Sequence, residues 1–137
     1  MSLVLDSSAT LAWCFEDEAS PIIDAMFERI VEQGAVVPAL WRLEVANGLH
    51  MGVRRRRLDA PRRDQLLATL NLLDIRTDPE TDRYAWTTTV RLADRFQLTL
   101  YDACYLELAQ RLSLPLASLD QELRNAAIAV GLDLLGI

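Results

Sequence analysis

Four acidic residues are far apart in the sequence but occupy positions from which they could act together: Asp6, Glu44, Asp102 and Asp120. Asp6 directly follows the apolar run Leu3–Leu5, Asp120 lies just past a second apolar run, and Asp102 falls in the first turn of a predicted helix. Ligands of open parallel sheets bind beyond the carboxyl ends of the strands. We therefore expect these three side chains at one edge of a sheet.

Glu44 is predicted to lie within a helix, at the border of its apolar face. That face carries large apolar residues at helical spacing, together with two glycines that permit close backbone approach; they are Trp41, Val45, Gly48, Leu49, Gly52 and Val53. A carboxylate at the edge of a buried face needs a partner, because an unpaired buried charge is costly.

Carboxylates that share one pocket repel each other and raise each other's pKa. A hard divalent cation such as Mg²⁺ relieves this repulsion, since it prefers oxygen ligands and binds through a few carboxylates and substrate phosphate. A bound cation can also generate hydroxide and neutralise charge on a phosphate, as phosphodiester hydrolysis requires. His50 is the only histidine, which excludes chemistry that needs a histidine pair.

Each acid also has an ordinary structural explanation. Asp102 and Asp120 are typical of helix N-termini, where negative charge is favoured. Asp6 is typical of a turn or cap residue, and Glu44 of the flank of an amphipathic helix. The combination of all four in this order, rather than any single one, favours a functional site.

Composition limits the class of protein. The 137 residues correspond to one domain, 1–137, and the net charge of −6 argues against a protein that passively coats nucleic acid. A local basic run could still contact RNA phosphates, or could simply be a solvated helix end; it comprises Arg54, Arg55, Arg56 and Arg57. The two cysteines lack zinc-ligand spacing, and no secretory signal or membrane span is predicted, so we expect a cytoplasmic protein.

Short apolar runs alternate with helical patterns, which predicts an α/β domain with a parallel sheet. Predicted strands are 3–5, 35–37, 74–76, 115–117 and an edge strand at 132–135. Predicted helices run from 7 to 13, 21 to 33, 38 to 57, 61 to 73, 79 to 96, 100 to 112 and 118 to 130. Ser7 and Ser8 offer caps to the first helix, Ser20 is the N-cap of the second, and capping-box patterns are formed by Thr99 with Asp102 and by Ser118 with Gln121. Tyr105 falls on the apolar face of the helix from 100 to 112. The three tryptophans, Trp13, Trp41 and Trp86, are expected mostly in the core, with one available to a partner.

Four segments together resemble a known family, the PIN domains, and more narrowly the VapC toxins of type II toxin–antitoxin pairs. They are Val4-Leu5-Asp6-Ser7-Ser8, the segment from Val37 to Asn47, Tyr101-Asp102-Ala103-Cys104-Tyr105, and Leu116-Ala117-Ser118-Leu119-Asp120. The resemblance spans the whole chain and implies a three-layer α/β/α fold with a central, mostly parallel sheet.

The resemblance also implies an activity, an endoribonuclease that depends on Mg²⁺ or Mn²⁺ and hydrolyses RNA phosphodiester bonds. In this family the matching acids coordinate the metal, which would give that role to Asp6, Glu44, Asp102 and Asp120. Supporting roles around these ligands fall to Ser7, Asn47 and Ser118. A homodimer and a VapB-type antitoxin partner are implied as well. The chain departs from the pattern four residues after Asp120, where Arg124 replaces an acid or amide.

Three other functions stay open to different degrees. A receiver-type phospho-acceptor domain also uses acids at strand ends, but it needs a lysine and this chain has none. A PIN-type binding module without catalysis is a further alternative, against which the complete set of four acids argues. A haloacid-dehalogenase-type phosphatase is disfavoured because Ser8 stands where its second aspartate belongs.

Overall fold

A computed structural model describes residues 2–135 and shows strands alternating with helices. The strands are β1 (Val4–Leu5), β2 (Ala35–Val37), β3 (Ile75–Thr77), β4 (Leu116–Ala117) and β5 (Leu134–Leu135). The helices are α1 (Ser7–Cys14), α2 (Pro21–Gln33), α3 (Trp41–Arg54), α4 (Ala60–Leu72), α5 (Thr81–Tyr84), α6 (Val90–Phe96), α7 (Leu100–Leu112) and α8 (Gln121–Ala129), with a 3₁₀ turn at Glu16–Glu18.

The sheet has the strand order β3-β2-β1-β4-β5, and within residues 2–135 every strand pairing is parallel. Val4 of β1 pairs with Val36 of β2 on one side and with Leu116 of β4 on the other. One group of helices includes α1, α2, α3 and α4, and another includes α6, α7 and α8. These groups flank the sheet, which confirms the predicted three-layer α/β/α fold.

The two central strands are completely buried. Both residues of β1 and both residues of β4 are 0% exposed, while the edge strands β3 and β5 are only partly covered. Continuous apolar strands are typical of a parallel sheet covered on both faces by helices. The ends of β1 and β4 therefore lie side by side at the centre of one sheet edge, and Asp6 follows the first of them.

Several predicted boundaries were wrong by a few residues. The helix expected from 38 to 57 begins at Trp41, after a turn in which the Trp41 amide donates to the Pro38 carbonyl, and it ends at Arg54. The helix expected from 61 begins at Ala60 because Asp59 caps it, accepting a hydrogen bond from the Arg62 amide at 2.8 Å. The final strand is shorter than 132–135, at Leu134–Leu135.

The helix expected to run from 79 to 96 is interrupted by a π-helical stretch, Ala85–Thr89, between α5 and α6. A π turn changes the angular spacing of side chains around the axis. Trp86 lies in this stretch and is 90% exposed, which fits the expectation that one of the three tryptophans lies outside the core. Trp41 is buried as expected, and Trp13 stacks on Phe27 with ring centroids 4.6 Å apart.

A membrane-spanning helix needs a long apolar stretch, and none of the helices described in residues 2–135 has one.

Candidate active site

Asp6 lies at the carboxyl end of β1 with only 2% of its surface exposed. Its Oδ2 accepts hydrogen bonds from Ser8 Oγ and Ser118 Oγ, each at 2.7 Å. Its Oδ1 receives a long contact from Ser7 Oγ, at 3.5 Å, and the Ser7 backbone amide also bonds to the carboxylate. One carboxylate oxygen is therefore held firmly by two serine hydroxyls, while Ser7 makes the remaining contacts.

Ser8 and Ser118 are themselves fixed by the backbone. Ser8 Oγ accepts from the Leu119 amide at 3.0 Å, and Ser118 Oγ accepts from the Asp120 amide at 3.1 Å. Each hydroxyl thus accepts one hydrogen bond from the loop after β4 and donates one to Asp6. These contacts tie the ends of β1 and β4 together around a single carboxylate.

Asp120 begins α8 as its N-cap, and its Oδ1 accepts from the Leu123 amide at 2.9 Å. The predicted capping box, with Ser118 as the cap, was therefore wrong. Asp120 is an equally good capping residue at the position adjacent to the helix. The Ser118 hydroxyl is instead directed to buried Asp6, which needs a donor more than an exposed helix end does.

Glu44 lies in the first turn of α3 and is half-buried. Its Oε1 accepts a hydrogen bond of 2.5 Å from the phenol of Tyr105, a fully buried residue on α7. Asp102 lies one turn earlier on α7, in the first turn, where Thr99 Oγ1 accepts from the Asp102 amide at 3.1 Å as the sequence predicted. Helix α7 therefore carries one of the four acids and the partner of another.

The four acids interact electrostatically. Burial and then the charges of Asp6, Asp120 and Glu44 raise the pKa of Asp102 to about 6. Burial, followed by the charge of Asp6, raises the pKa of Glu44, although the Tyr105 hydrogen bond opposes this. The pKa of Asp6 is raised by burial and, less, by Asp120. Carboxylates from four separate segments of the chain thus repel each other at one end of the sheet.

The chemistry of this set fits a hard divalent cation, because every donor is a carboxylate oxygen and each charge disfavours the others. As the side chains are placed in residues 2–135, however, no three His, Cys, Asp or Glu groups come close enough to hold one ion. The repulsion itself favours this separation. Coordination by the four acids therefore stays a prediction, and it requires their side chains to move closer together.

A groove adjoins the acids on one side. The lining of its cavity, of about 450 Å³, includes Ser8 and Asp120 together with Arg55 and Arg57. The Arg57 guanidinium bonds to Asp17 at 2.9 Å and to Glu18 at 2.8 Å, and lies 3.9 Å from the centre of the Phe15 ring. The basic run is thus divided, since neither Arg54 nor Arg56 lines this cavity.

The remaining predicted residues are less closely connected to the acids. Asn47 is exposed on α3, one turn after Glu44, and within the described chain no side-chain hydrogen bond joins it to the four acids. Ser7 is nearer, through its long contact with Asp6. Arg124, which departs from the family pattern, is 9% exposed and donates to the carbonyls of Ser118 at 2.7 Å and Leu135 at 3.1 Å. Arg124 therefore connects strand β5 to the segment that follows β4 by hydrogen bonds to both.

Sequence reasoning missed two residues of this site. Ser8 was considered only as a helix cap or as a replaced aspartate, yet its contact with Asp6 is as short as that of Ser118. Tyr105 was assigned to an apolar helix face, which hid its hydroxyl. The available signal was that a buried tyrosine hydroxyl usually finds a hydrogen-bond partner, while Glu44 was already expected to need one.

Comparison with known proteins places this geometry in a family. A crystal structure of PAE2754 from Pyrobaculum aerophilum superposes with a TM-score of 0.68 at 24% sequence identity, covering 92% of this chain and 79% of that one, which shows a shared fold. A comparison with curated proteins finds no match. The sequence profile of the PIN domain matches residues 3–129, nearly the whole chain. PIN domains are generally nucleases and usually use divalent metal ions, and this chain belongs to the PIN-domain family.

Proposed function

We propose that this PIN domain is an endoribonuclease that hydrolyses RNA phosphodiester bonds with Mg²⁺ or Mn²⁺ held by Asp6, Glu44, Asp102 and Asp120. The observation that carries the proposal is the proximity of these acids at one end of the sheet, where burial and then the charges of Asp6, Asp120 and Glu44 raise the pKa of Asp102 to about 6. A protein that keeps four like charges together at one sheet edge stores an unfavourable interaction that a divalent cation removes.

The acids and the serine hydroxyls of the site have different roles. When bound, the cation supplies an activated water and neutralises charge developing on the phosphate. Ser8 and Ser118 hold Asp6 by one oxygen and so fix the direction of the other. Asp120 is anchored to the first turn of α8, and Asp102 extends from the first turn of α7. The acids thus start from rigid elements, as a site that must position a phosphate requires.

The groove beside the acids provides the RNA contact. Arg55 and Arg57 line it together with Ser8 and Asp120, so a strand lying there would contact both cationic side chains and one of the four acids. Phosphate contacts to arginine contribute affinity without reading sequence. Arg57 is partly neutralised by Asp17 and Glu18, which leaves Arg55 as the main cation of the groove.

We further infer that the chain is the toxin of a VapBC-like type II pair, with a VapB-type antitoxin and a homodimeric assembly. Support comes from the residue-by-residue resemblance to VapC toxins and from large apolar side chains exposed on the single chain. Leu72 is 86% exposed and Trp86 is 90% exposed. Tryptophan is a favoured anchor of protein interfaces.

The direct test is cleavage of a purified structured RNA by the wild-type chain with Mn²⁺, with Mg²⁺ and with chelator. We expect cleavage only with metal, and a loss of at least about 100-fold in the Asp102→Asn variant, since a metal ligand is removed. Asp94→Asn, which neutralises an exposed acid on α6, is the matched control. Cleavage that survives chelator, or that Asp102→Asn leaves intact, rules out this mechanism.

Two alternatives make different predictions. The PIN-family match favours a nuclease over a receiver-type domain, which would instead become labelled by a small phosphodonor. A PIN-type binding module without catalysis is favoured by one observation, the lack of three convergent ligands in the described residues. A Mn²⁺ titration that detects no binding would support that module against the nuclease.

A further inference from the structure

We propose that Tyr105 is a positioning residue of the metal site, which holds one oxygen of Glu44 so that the other faces the cation. The proposal rests on the metal-dependent function proposed above and adds a residue to it. Tyr105 touches neither substrate nor metal in this account, and it acts only through Glu44.

The hydrogen bond between Tyr105 and Glu44 is short, and its donor is held rigidly by the core. Tyr105 is 0% exposed, and its phenol donates to Glu44 Oε1 at 2.5 Å. The two residues are 61 positions apart and connect α7 to α3. Because the surrounding core fixes the tyrosine ring, the position of its hydroxyl is fixed, and the carboxylate must orient to it. Burial and the Glu44 contact also raise the pKa of Tyr105, so the phenol remains a donor.

Glu44 and Asp6 share one pattern of support. Tyr105 occupies Oε1 of Glu44, and two serine hydroxyls occupy Oδ2 of Asp6. In both cases the short hydrogen bonds from hydroxyl donors fall on one oxygen of a buried or half-buried carboxylate, and Ser7 provides a further contact to each of the two acids. Outer groups that orient metal ligands in this way are a general feature of metal sites.

Helix α7 also explains why this arrangement is precise. Asp102 and Tyr105 are three residues apart and therefore lie on the same face of the helix. One turn of a rigid helix thus presents a carboxylate directly and controls a second one on α3. A shift of α7 would move Asp102 together with the hydroxyl that orients Glu44, so the two acids are coupled through this helix.

The test is the affinity for Mn²⁺, measured from the electron paramagnetic resonance signal of the free ion, in the wild type and in Tyr105→Phe. We expect the dissociation constant to rise by about 10- to 100-fold, the usual effect of losing an orienting partner. Tyr101→Phe is the matched control, because it removes an exposed hydroxyl from the same helix and should leave the affinity unchanged.

A second control separates positioning from stability. Leu108→Val reduces packing at a fully buried position of α7 without touching an acid, and thermal unfolding measured for every variant shows how far each is destabilised. The proposal predicts weaker Mn²⁺ binding in Tyr105→Phe but not in Leu108→Val. Wild-type affinity in folded Tyr105→Phe overturns the role of Tyr105 and leaves the metal site intact, whereas no binding by the wild type overturns both proposals.

Discussion

At the scale of single residues, Asp6 and Asp102 carry their charges in different environments. Asp6 is almost completely buried but receives two short hydroxyl hydrogen bonds. Asp102 is half-buried and experiences the charges of three other acids. Asp6 is therefore held in place by its partners, whereas Asp102 carries most of the repulsion that metal binding would relieve.

Asp102→Asn should stabilise the metal-free protein at neutral pH. The folded-state pKa of Asp102, about 6, lies above its ordinary value of 3.8, so the folded state binds more protons than the unfolded state between pH 3.8 and 6, and stability falls as the pH rises through this range. Because Asp102 is half-exposed and solvent screens it, we expect a gain of about 1 kcal/mol in the free energy of unfolding. Thermal unfolding with chelator should show an increase of roughly 3 °C.

The same experiment at pH 4 provides the control, because the carboxyl group is then largely protonated in the folded state and the variant should match the wild type. Adding Mn²⁺ at pH 7 should reverse the order of stability, since only the wild type keeps the complete ligand set. A variant less stable than the wild type at pH 7 without metal would show that Asp102 is not under repulsion.

Ser118→Ala should destabilise the protein by about 1–3 kcal/mol, because it removes a hydrogen bond from a buried carboxylate. Urea unfolding measures this change. The comparison is Ser7→Ala, because the Ser7 hydroxyl contacts Asp6 only at 3.5 Å and otherwise bonds to half-buried Glu44, so its effect should be smaller, at most about 1 kcal/mol. Equal effects of the two substitutions would contradict the assignment of Ser118 as a principal support of Asp6.

At the scale of elements, helix α3 must lie close to the end of α1 and to the segment that directly follows α3. A Cβ atom added at Gly52 would lie 2.5 Å from the Leu58 side chain and 2.8 Å from the Phe15 ring. The sequence correctly indicated close approach at this position. Phe15 lies under Arg57, so the packing around Gly52 also shapes the groove beside the acids.

Gly52→Ala should therefore cost about 1–3 kcal/mol of stability through overpacking, although alanine is the better helix former. The comparison is with Asn47→Ala at an exposed position of the same helix, which should change stability little. Thermal or urea unfolding measures both. A stabilised Gly52→Ala variant would show that α3 does not need the close approach.

The arginines of the basic run should contribute unequally to RNA binding. Arg55→Ala removes a cation that lines the groove, whereas Arg54→Ala removes the same charge from a neighbouring position outside it. In an Asp102→Asn background, which prevents cleavage, we expect Arg55→Ala to weaken RNA binding by about 5- to 10-fold and to reduce its salt dependence by about one phosphate contact. Equal losses from both substitutions would remove the groove from the RNA path.

At the scale of the whole molecule, the sequence predicted the architecture better than the details. Alternating apolar runs and helical patterns predicted the parallel sheet between helical layers, and Asp6 was correctly placed at the end of β1. Ser20 and Thr99 were also correctly predicted as helix caps. These features depend on local spacing and on general rules for parallel sheets, which a single sequence carries.

Features that depend on contacts between distant segments could not be predicted. No residue near Tyr105 in the sequence indicates that its hydroxyl donates to Glu44. Likewise, no residue near Ser118 indicates that its hydroxyl donates to Asp6 and does not cap the next helix. Similarly, Arg124 appeared to replace a ligand, yet its guanidinium binds backbone carbonyls of the chain after β4 and of β5. Each of these polar side chains has several possible hydrogen-bond partners, and only the folded chain determines which of them it meets.

The most direct test of the account is to locate a bound ion. Crystals grown with Mn²⁺ should give an anomalous-scattering peak at the carboxyl edge of the sheet, within about 2.5 Å of oxygens from at least two of Asp6, Glu44, Asp102 and Asp120. The same peak should be lost or much weaker in Asp102→Asn. A peak bound only elsewhere on the surface, or none at saturating Mn²⁺, would contradict the central claim that these acids share a cation.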